Sequence, residues 1–414
     1  MNTESLFAAA LGLTPPWQVL DIQFDPEKGR IDFKVGFPSG SKFNCPECHE
    51  GQQCVHDTRP RTWRHLNFFQ YQAYLHAEVP RVRCSKCGKT KQVQVPWARP
   101  GSGFSLLMDA LLVVLAKQMP VHAIGQLLGL HDGQIWRVLD HYVEVARQAE
   151  NFSNVRRIGL DETASRRGHN YISLFHDLVS KRLLFACEGR DKSVVATFVK
   201  DLEDHGGTAE AIDSVCIDMS KSYVAGVTEH LPAAEITFDP FHVMAIVNKA
   251  VDQVRRQEAK TEPVLKKTRY LWLRNEANRT QKQQEWFDNL PKSRLKTARA
   301  WQIKLSLQEI YQSCQTMTDA EQALSRWFSW AIRCRLEPMK EAARTVRRHW
   351  AGILAWFDGH LNNGGVEGVN SLIQAAKARA RGYGTVRHLM TMAYLVAAKL
   401  THLPEPPFIT RCCG

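Results

Sequence analysis

Two cysteine pairs, Cys45-Pro-Glu-Cys48 and Cys84-Ser-Lys-Cys87, are separated by 35 residues, and Gly88 follows the second. A CxxC turn presents two thiolates from one tight loop. Two such turns can close a tetrahedral zinc site, and the ion then supplies folding energy to a small β-rich module. The stretch FFQYQAYLHAEVPRVRC leading into the second pair reads as strand, so Cys45, Cys48, Cys84 and Cys87 are expected to hold structural zinc. His49, Cys54 and His56 are near enough to replace Cys45 or Cys48 in that set. Arg59, Arg61, Arg64, Arg81 and Arg83 would rim the module, which suits DNA or protein contact.

Three acids form a second candidate centre. Asp161 follows the strand-like Arg157-Ile158-Gly159-Leu160, and β alternation puts it on the face of Gly159, where there is room. Asp218 ends the strand-like Ser214-Val215-Cys216-Ile217. Carboxylates at neighbouring strand ends can hold two hard cations about 4 Å apart for phosphoryl transfer, which suits magnesium or manganese. The third acid, Glu367, lies in Asn362-Asn363-Gly364-Gly365-Val366-Glu367-Gly368, which reads as a helix start. In a first turn the helix dipole favours its ionised form. At 3.6 residues per turn Glu367, Asn370, Ser371, Gln374, Lys377 and Arg381 share one stripe, while Val366, Val369, Ile373, Ala376 and Ala380 share another. An acid followed by bases on one face suits a metal ligand beside a phosphate track. Asp177, Asp213 and Asp239 compete for such roles, though Asp239 in Phe238-Asp239-Pro240-Phe241-His242 reads as a helix cap.

The elements that must carry these groups fall into textures. Ile31, Phe33, Val35 and Phe37 alternate as in short strands. FSLLMDALLVVLAKQ, VHAIGQLLGL and HDGQIWRVLDHYVEVARQ read as three helices, with a Gly-containing turn before the third, as in a helix-turn-helix. Ala123, Leu127, Leu128, Ile135, Val138 and Leu139 would form its core, leaving Asp132, Gln134 and Arg137 outward as DNA-facing candidates; a plain three-helix bundle is the alternative. Next, RRIGLDE, NYISLFHDLV, RLLFACEG, SVCID and AEITFD read as strands, with helices between the later ones. Three strands, then helix, strand, helix, strand fits an RNase H-like layout, and other mixed sheets fit it too. From about Met244 to Met339 the chain is helical, Trp-rich and basic.

Composition narrows the classes. The chain has 414 residues, 44% hydrophobic and 23% charged, which excludes disordered or collagen-like types and suggests several domains. Its formal net charge is +12, and Lys249 to Lys304 alone holds 15 Lys/Arg against 6 Asp/Glu, so nucleic acid is the leading partner. The first residues lack a basic n-region, so no signal peptide is expected. The run Leu106 to Met119 contains Asp109 and Lys117 and is too short for a bilayer, so no membrane partner is expected. Eleven unevenly spread cysteines point to a reduced, cytoplasmic compartment.

At four stretches, in order, the sequence resembles the ISL-three family of bacterial insertion-sequence transposases. They are CPEC with CSKCGK; Gly159-Leu160-Asp161-Glu162 with Arg167-Gly168-His169; Asp218-Met219-Ser220 with Phe238-Asp239-Pro240-Phe241-His242; and Gly365-Val366-Glu367-Gly368-Val369-Asn370 leading to Lys377-Ala378-Arg379-Ala380-Arg381-Gly382-Tyr383. The resemblance covers most of the chain and implies a multidomain DDE transposase of α+β and α/β architecture. Its parts would be a β-rich region over 1–97 with a zinc ribbon at about 44–90, a helix-turn-helix over 98–150, an RNase H-like catalytic core over 151–243 and 356–403, a basic helical insertion over 244–355, and a tail over 404–414. It maps the catalytic acids onto Asp161, Asp218 and Glu367, with 148 residues between the last two. It also implies a reaction at the terminal inverted repeats of its own element and on target DNA, with at least a dimer on DNA, nucleoid-associated in the cytoplasm. DNA contacts are expected from Gln134, Arg137, Arg167, Lys377 and Arg381. His49 departs from the family's usual Gly in the first knuckle. A non-catalytic DNA-binding regulator and another RNase H-like nuclease are the alternatives.

Overall fold

Alternating apolar residues build a first sheet in a computed structural model that describes residues 3–165, 170–359 and 364–407, with side chains in the last stretch from residue 368. The chain divides into two compact units, one up to Arg147 plus the stretch from Leu400, the other Gln148–Lys399. In the first, α1 (Thr3–Ala10) precedes β1 (Gln18–Asp25), β2 (Arg30–Gly36), β3 (Lys42–Phe43), β4 (Gln53–Arg64), β5 (Gln72–Arg83) and β6 (Thr90–Gln92). The sheet order is β1-β2-β5-β4-β3, with β6 also on β5. Ile31, Phe33 and Val35 of β2 point inward with Ala73, Leu75 and Ala77 of β5, against Trp17, Trp63 and Trp97. Arg64 also turns inward, donating to the Ala73 carbonyl, and Arg81 pairs with Asp57, so the expected arginine rim is thinner than five.

Three helices follow: α2 (Leu106–Gln118), α3 (Val121–Leu128) and α4 (Asp132–Gln148). The Ser105 hydroxyl caps α2 by accepting from the Met108 N–H. Asp109, fully buried in α2, takes hydrogen bonds from Arg99 and Tyr142, so this charge in the apolar run ties the helices together. The helical core differs from expectation. Ile135, Val138 and Leu139 are buried, but α3 buries Val121, Ile124 and Gly125, while Ala123 and Leu128 are half-buried and Leu127 is 62% exposed.

In the second unit the five expected strands appear as β7 (Arg157–Ala164), β8 (Tyr171–Asp177), β9 (Arg182–Glu188), β10 (Ser214–Ile217) and β11 (Glu235–Phe238). Helix α5 (Ser193–Asp204) joins β9 to β10, and α6 (Lys221–His230) joins β10 to β11. β7, β8 and β9 form an antiparallel meander, whereas the helical crossovers make β10 parallel to β7 and β11 parallel to β10. The order is β11-β10-β7-β8-β9. Strand β8 is buried along nearly its whole length, as a strand covered on both faces should be. Val194, Val195, Phe198 and Leu202 form the buried stripe of α5, and Phe198 stacks on Phe175 at 4.3 Å.

The helical region comprises α7 (Pro240–Glu258), α8 (Arg269–Leu273), α9 (Gln281–Asp288), α10 (Lys296–Ser313), α11 (Met317–Arg333) and α12 (Glu337–Arg348). It packs around Trp272, Phe287, Trp301 and Trp327. Then α13 (Trp350–Gly359) returns the chain to β11, and α14 (Gly364–Arg379) and α15 (Val386–Ala397) complete the unit.

Candidate active site and metal centre

Each cysteine pair sits in a turn between strands, Cys45 and Cys48 between β3 and β4, Cys84 and Cys87 between β5 and β6. The turns are built alike. His49 N–H bonds the Cys45 carbonyl at 3.0 Å, as Gly88 N–H bonds that of Cys84 at 3.0 Å. His49 has φ 57° and Gly88 φ 68°, so His49 adopts the left-handed conformation that glycine supplies in the second knuckle. The four sulfurs converge, with Cys45 and Cys87 at 3.8 Å and Cys48 and Cys84 at 3.5 Å. A tetrahedron of about 2.3 Å zinc–sulfur bonds has edges of about 3.8 Å, so the donors fit zinc in type and spacing. Backbone N–H groups, that of Cys87 foremost, lower the Cys84 thiol, while the neighbouring sulfurs and burial raise that of Cys48. The alternatives point elsewhere: Cys54 is exposed, and His56 lies against Asp57.

Asp218 and Asp239 follow the ends of β10 and β11, and Asp161 lies within β7, past the end of its pairing with β10. Two residues beyond the last β7–β10 pair, Gly159–Cys216, come Asp161 and Asp218. One residue beyond the last β10–β11 pair, Ile217–Phe238, come Asp218 and Asp239. Three aspartates therefore lie side by side on strands about 4.8 Å apart. Asp239 caps α7 through the Phe241 N–H at 2.9 Å and is buried. Asp218 accepts the Ser220 N–H at 2.9 Å, and Asp161 accepts that of Glu162 at 2.8 Å. Burial raises the Asp161 carboxyl above its usual range; the Glu162 N–H and His242 oppose this, and Asp218 and Asp239 add to it. Glu162 is raised too, by burial and then by Asp218. A bound cation would relieve this crowding of carboxylates, and hard oxygen donors suit a divalent ion of the magnesium type.

Helix α14 lays its polar stripe along β7. Asn370 Nδ2 donates to Asp161 Oδ2, Gln374 to the Thr163 hydroxyl, and Lys377 Nζ to the Ala164 carbonyl. Val369, Ile373 and Ala376 are buried on the other stripe. The helix ends at Arg379, and Gly382, with φ 96°, returns its N–H to the Lys377 carbonyl. Glu367 lies in the first turn of α14, one turn before Asn370; its side chain lies outside the described residues, as does the whole of Arg167. Lys377 and Arg381 line a groove of about 810 Å³ with Ser165, Gln374 and Tyr383. In the first unit Arg137 is exposed, and Gln134 accepts the His131 N–H at 3.0 Å at the start of α4. Both line a recess with Arg99 and the Gly101 to Phe104 loop.

The family description "Transposase", for the DDE domain of family ISL3, matches residues 158–393. The chain belongs to the ISL3 transposases. A helix-turn-helix domain of the same family matches residues 93–143, and the zinc-finger of related transposases matches residues 41–87. The transposase for insertion sequence element IS1557 of Mycobacterium tuberculosis is 30% identical, over 98% of both chains. That of IS1001 from Bordetella parapertussis is 26% identical, over 89% of this chain and 92% of its own. As an ISL3 transposase the chain joins a DNA-binding helix-turn-helix and a zinc ribbon to a DDE domain that acts on DNA by cleavage and transfer. The ribbon domain and the four-cysteine cluster support structural zinc, and the DDE domain implies a divalent metal. Among the described residues no helix is long and apolar enough to cross a membrane.

Sequence reasoning gave no role to two polar residues near the aspartates of this ISL3 transposase, Glu162 and His176. His176 stands fully buried in β8, and a histidine directly after the apolar pair Leu174-Phe175 was the available signal.

Proposed function

We propose that this ISL3 transposase binds the terminal inverted repeats of its own element and cuts them with a metal centre held by Asp161, Asp218 and Glu367, on an RNase H-like core. The observation that carries the reading is the register that sets Asp161 beside Asp218, with Asn370, Gln374 and Lys377 of α14 along β7 and Glu367 in the first turn of that helix. A five-stranded sheet of three antiparallel strands followed by two parallel ones supports the fold. Magnesium or manganese bound there would activate the attacking oxygen and stabilise the leaving one. The carboxylates hold charge where the scissile phosphate must enter, while Lys377 and Arg381 grip the neighbouring backbone. Attack by water frees a 3′-hydroxyl, which then attacks target DNA; no covalent enzyme intermediate is required.

The division of labour follows the domains expected from sequence, with the modules before residue 150 reading the ends and the core after it cutting them. Gln134 and Arg137, near the start of α4, are the groups for base contact, and Arg167 is a further backbone contact. Joining two ends asks for two copies on DNA, in the bacterial cytoplasm at the nucleoid. The test is nicking of end-containing DNA with magnesium. Asp218→Ala and Glu367→Gln should each cut ~100-fold slower or worse while still binding the ends. Wild-type cutting by either variant would overturn the assignment.

A further inference from the structure

Between α14 and the sheet, a fully buried histidine and a half-buried asparagine stand outside the cleavage chemistry. Asn370 donates through Nδ2 to Asp161, but its Oδ1 is buried with no hydrogen-bond partner among the described residues. His176 is fully buried in β8, and neither ring nitrogen makes a hydrogen bond of normal geometry there. The strand pairing places His176 opposite β7, the strand that Asn370 contacts. His176 is paired with Gly159, and Asp161, which Asn370 contacts, follows two residues later on the same face. The β8–β9 register shifts between Phe175 and His176, a local irregularity of the kind that re-aims a side chain.

Chemistry assigns the direction. Burial drives the His176 pKa down to about 3, so the ring stands neutral, and the nearby Asn370 side chain is the group that opposes the shift. A neutral imidazole has one N–H to give, and the Asn370 oxygen is the acceptor in need of one. An amide held by its oxygen in this way must turn its N–H groups toward Asp161; flipped, it would set oxygen against carboxylate.

We propose that Asn370, oriented by His176, is a positioning residue that holds one oxygen of Asp161 so that its remaining lone pairs face the Asp218 side, where the divalent ion binds. The proposal rests on the reading of Asp161 as a metal ligand. Outer groups of this kind set the orientation of ligating carboxylates and tune metal affinity about 10- to 100-fold.

The test uses the full-length, zinc-loaded protein on DNA carrying an element end. Manganese uptake is read by electron paramagnetic resonance, and the magnesium dependence of nicking is read in single turnover. Asn370→Ala, and Asn370→Leu of closer size, should weaken manganese binding about 10-fold. The loss should fall more on half-saturating magnesium than on the rate at saturation. His176→Phe, which keeps a buried ring but gives up its N–H, should shift affinity the same way by less. Wild-type manganese affinity in both Asn370 variants, whether or not they melt earlier, overturns the proposal if Asp161→Ala loses the ion. If Asp161→Ala itself binds manganese normally, the ligand reading fails and the positioning role falls with it.

Discussion

His49 occupies in the first knuckle the place that Gly88 holds in the second, with matching backbone hydrogen bonds and φ 57° against 68°. A side chain in the left-handed region costs roughly 1–2 kcal/mol, while glycine gives up roughly 0.4–1 kcal/mol through the freedom it adds to the unfolded chain. His49→Gly should therefore stabilise the ribbon by about 0.5 kcal/mol. Slower zinc loss to a chelator and a later denaturant midpoint would show it. A faster loss would mean that the imidazole itself supports the knuckle. The spacing of the two CxxC pairs made the zinc centre legible, but the choice among Cys45, Cys48, His49, Cys54 and His56 was not. That choice depends on the hairpin register, which leaves Cys54 exposed and turns His56 toward Asp57.

Helix α3 shows why element boundaries can be legible when the buried face is not. Most of VHAIGQLL is apolar, so its composition admits more than one stripe. The structure selects Val121 and Ile124, and Leu127 then falls well off that face. What decides the phase is Gly125, the point of closest approach to the turn before α4. A Cβ there would meet the Leu130 carbonyl at 2.7 Å and Asp132 Oδ1 at 3.0 Å. Gly125→Ala gains up to about 1 kcal/mol of helix propensity but must push the turn away, a strain of about 1–3 kcal/mol. The expected outcome is a lower melting temperature and weaker binding to end DNA. Gly133→Ala is the control, because a Cβ there meets no described atom within 4 Å. Equal behaviour of the two variants would remove the steric account of the turn. Apolar runs likewise revealed β7 to β11 one by one. Their side-by-side order depends on pairings such as Ile158 with Val215, which local sequence cannot show.

At the scale of the molecule the net charge of +12 divides into two kinds of base. The surplus between Lys249 and Lys304 reads in sequence as a surface for DNA, yet some of it serves the fold. Lys304 is 1% exposed, its pKa lowered by burial to about 8, and its Nζ donates to the Leu273 carbonyl at 2.9 Å, ending α8. Arg255 is buried against Asp252 and the Leu265 carbonyl, and Arg279 stacks on Phe287. Lys377 and Arg381, by contrast, line an open groove, with one Lys377 N–H given to the Ala164 carbonyl. Each base that neutralises a DNA phosphate adds about 0.9 to the slope of log affinity against log salt, whereas an inward base adds nothing. The pair Lys377→Gln with Arg381→Gln should therefore flatten that slope by about 2, and Lys304→Met should leave it unchanged. Titrating end-DNA binding against potassium chloride separates the two groups. A slope altered by Lys304→Met, or untouched by the double variant, would show that the division of the charge is drawn in the wrong place.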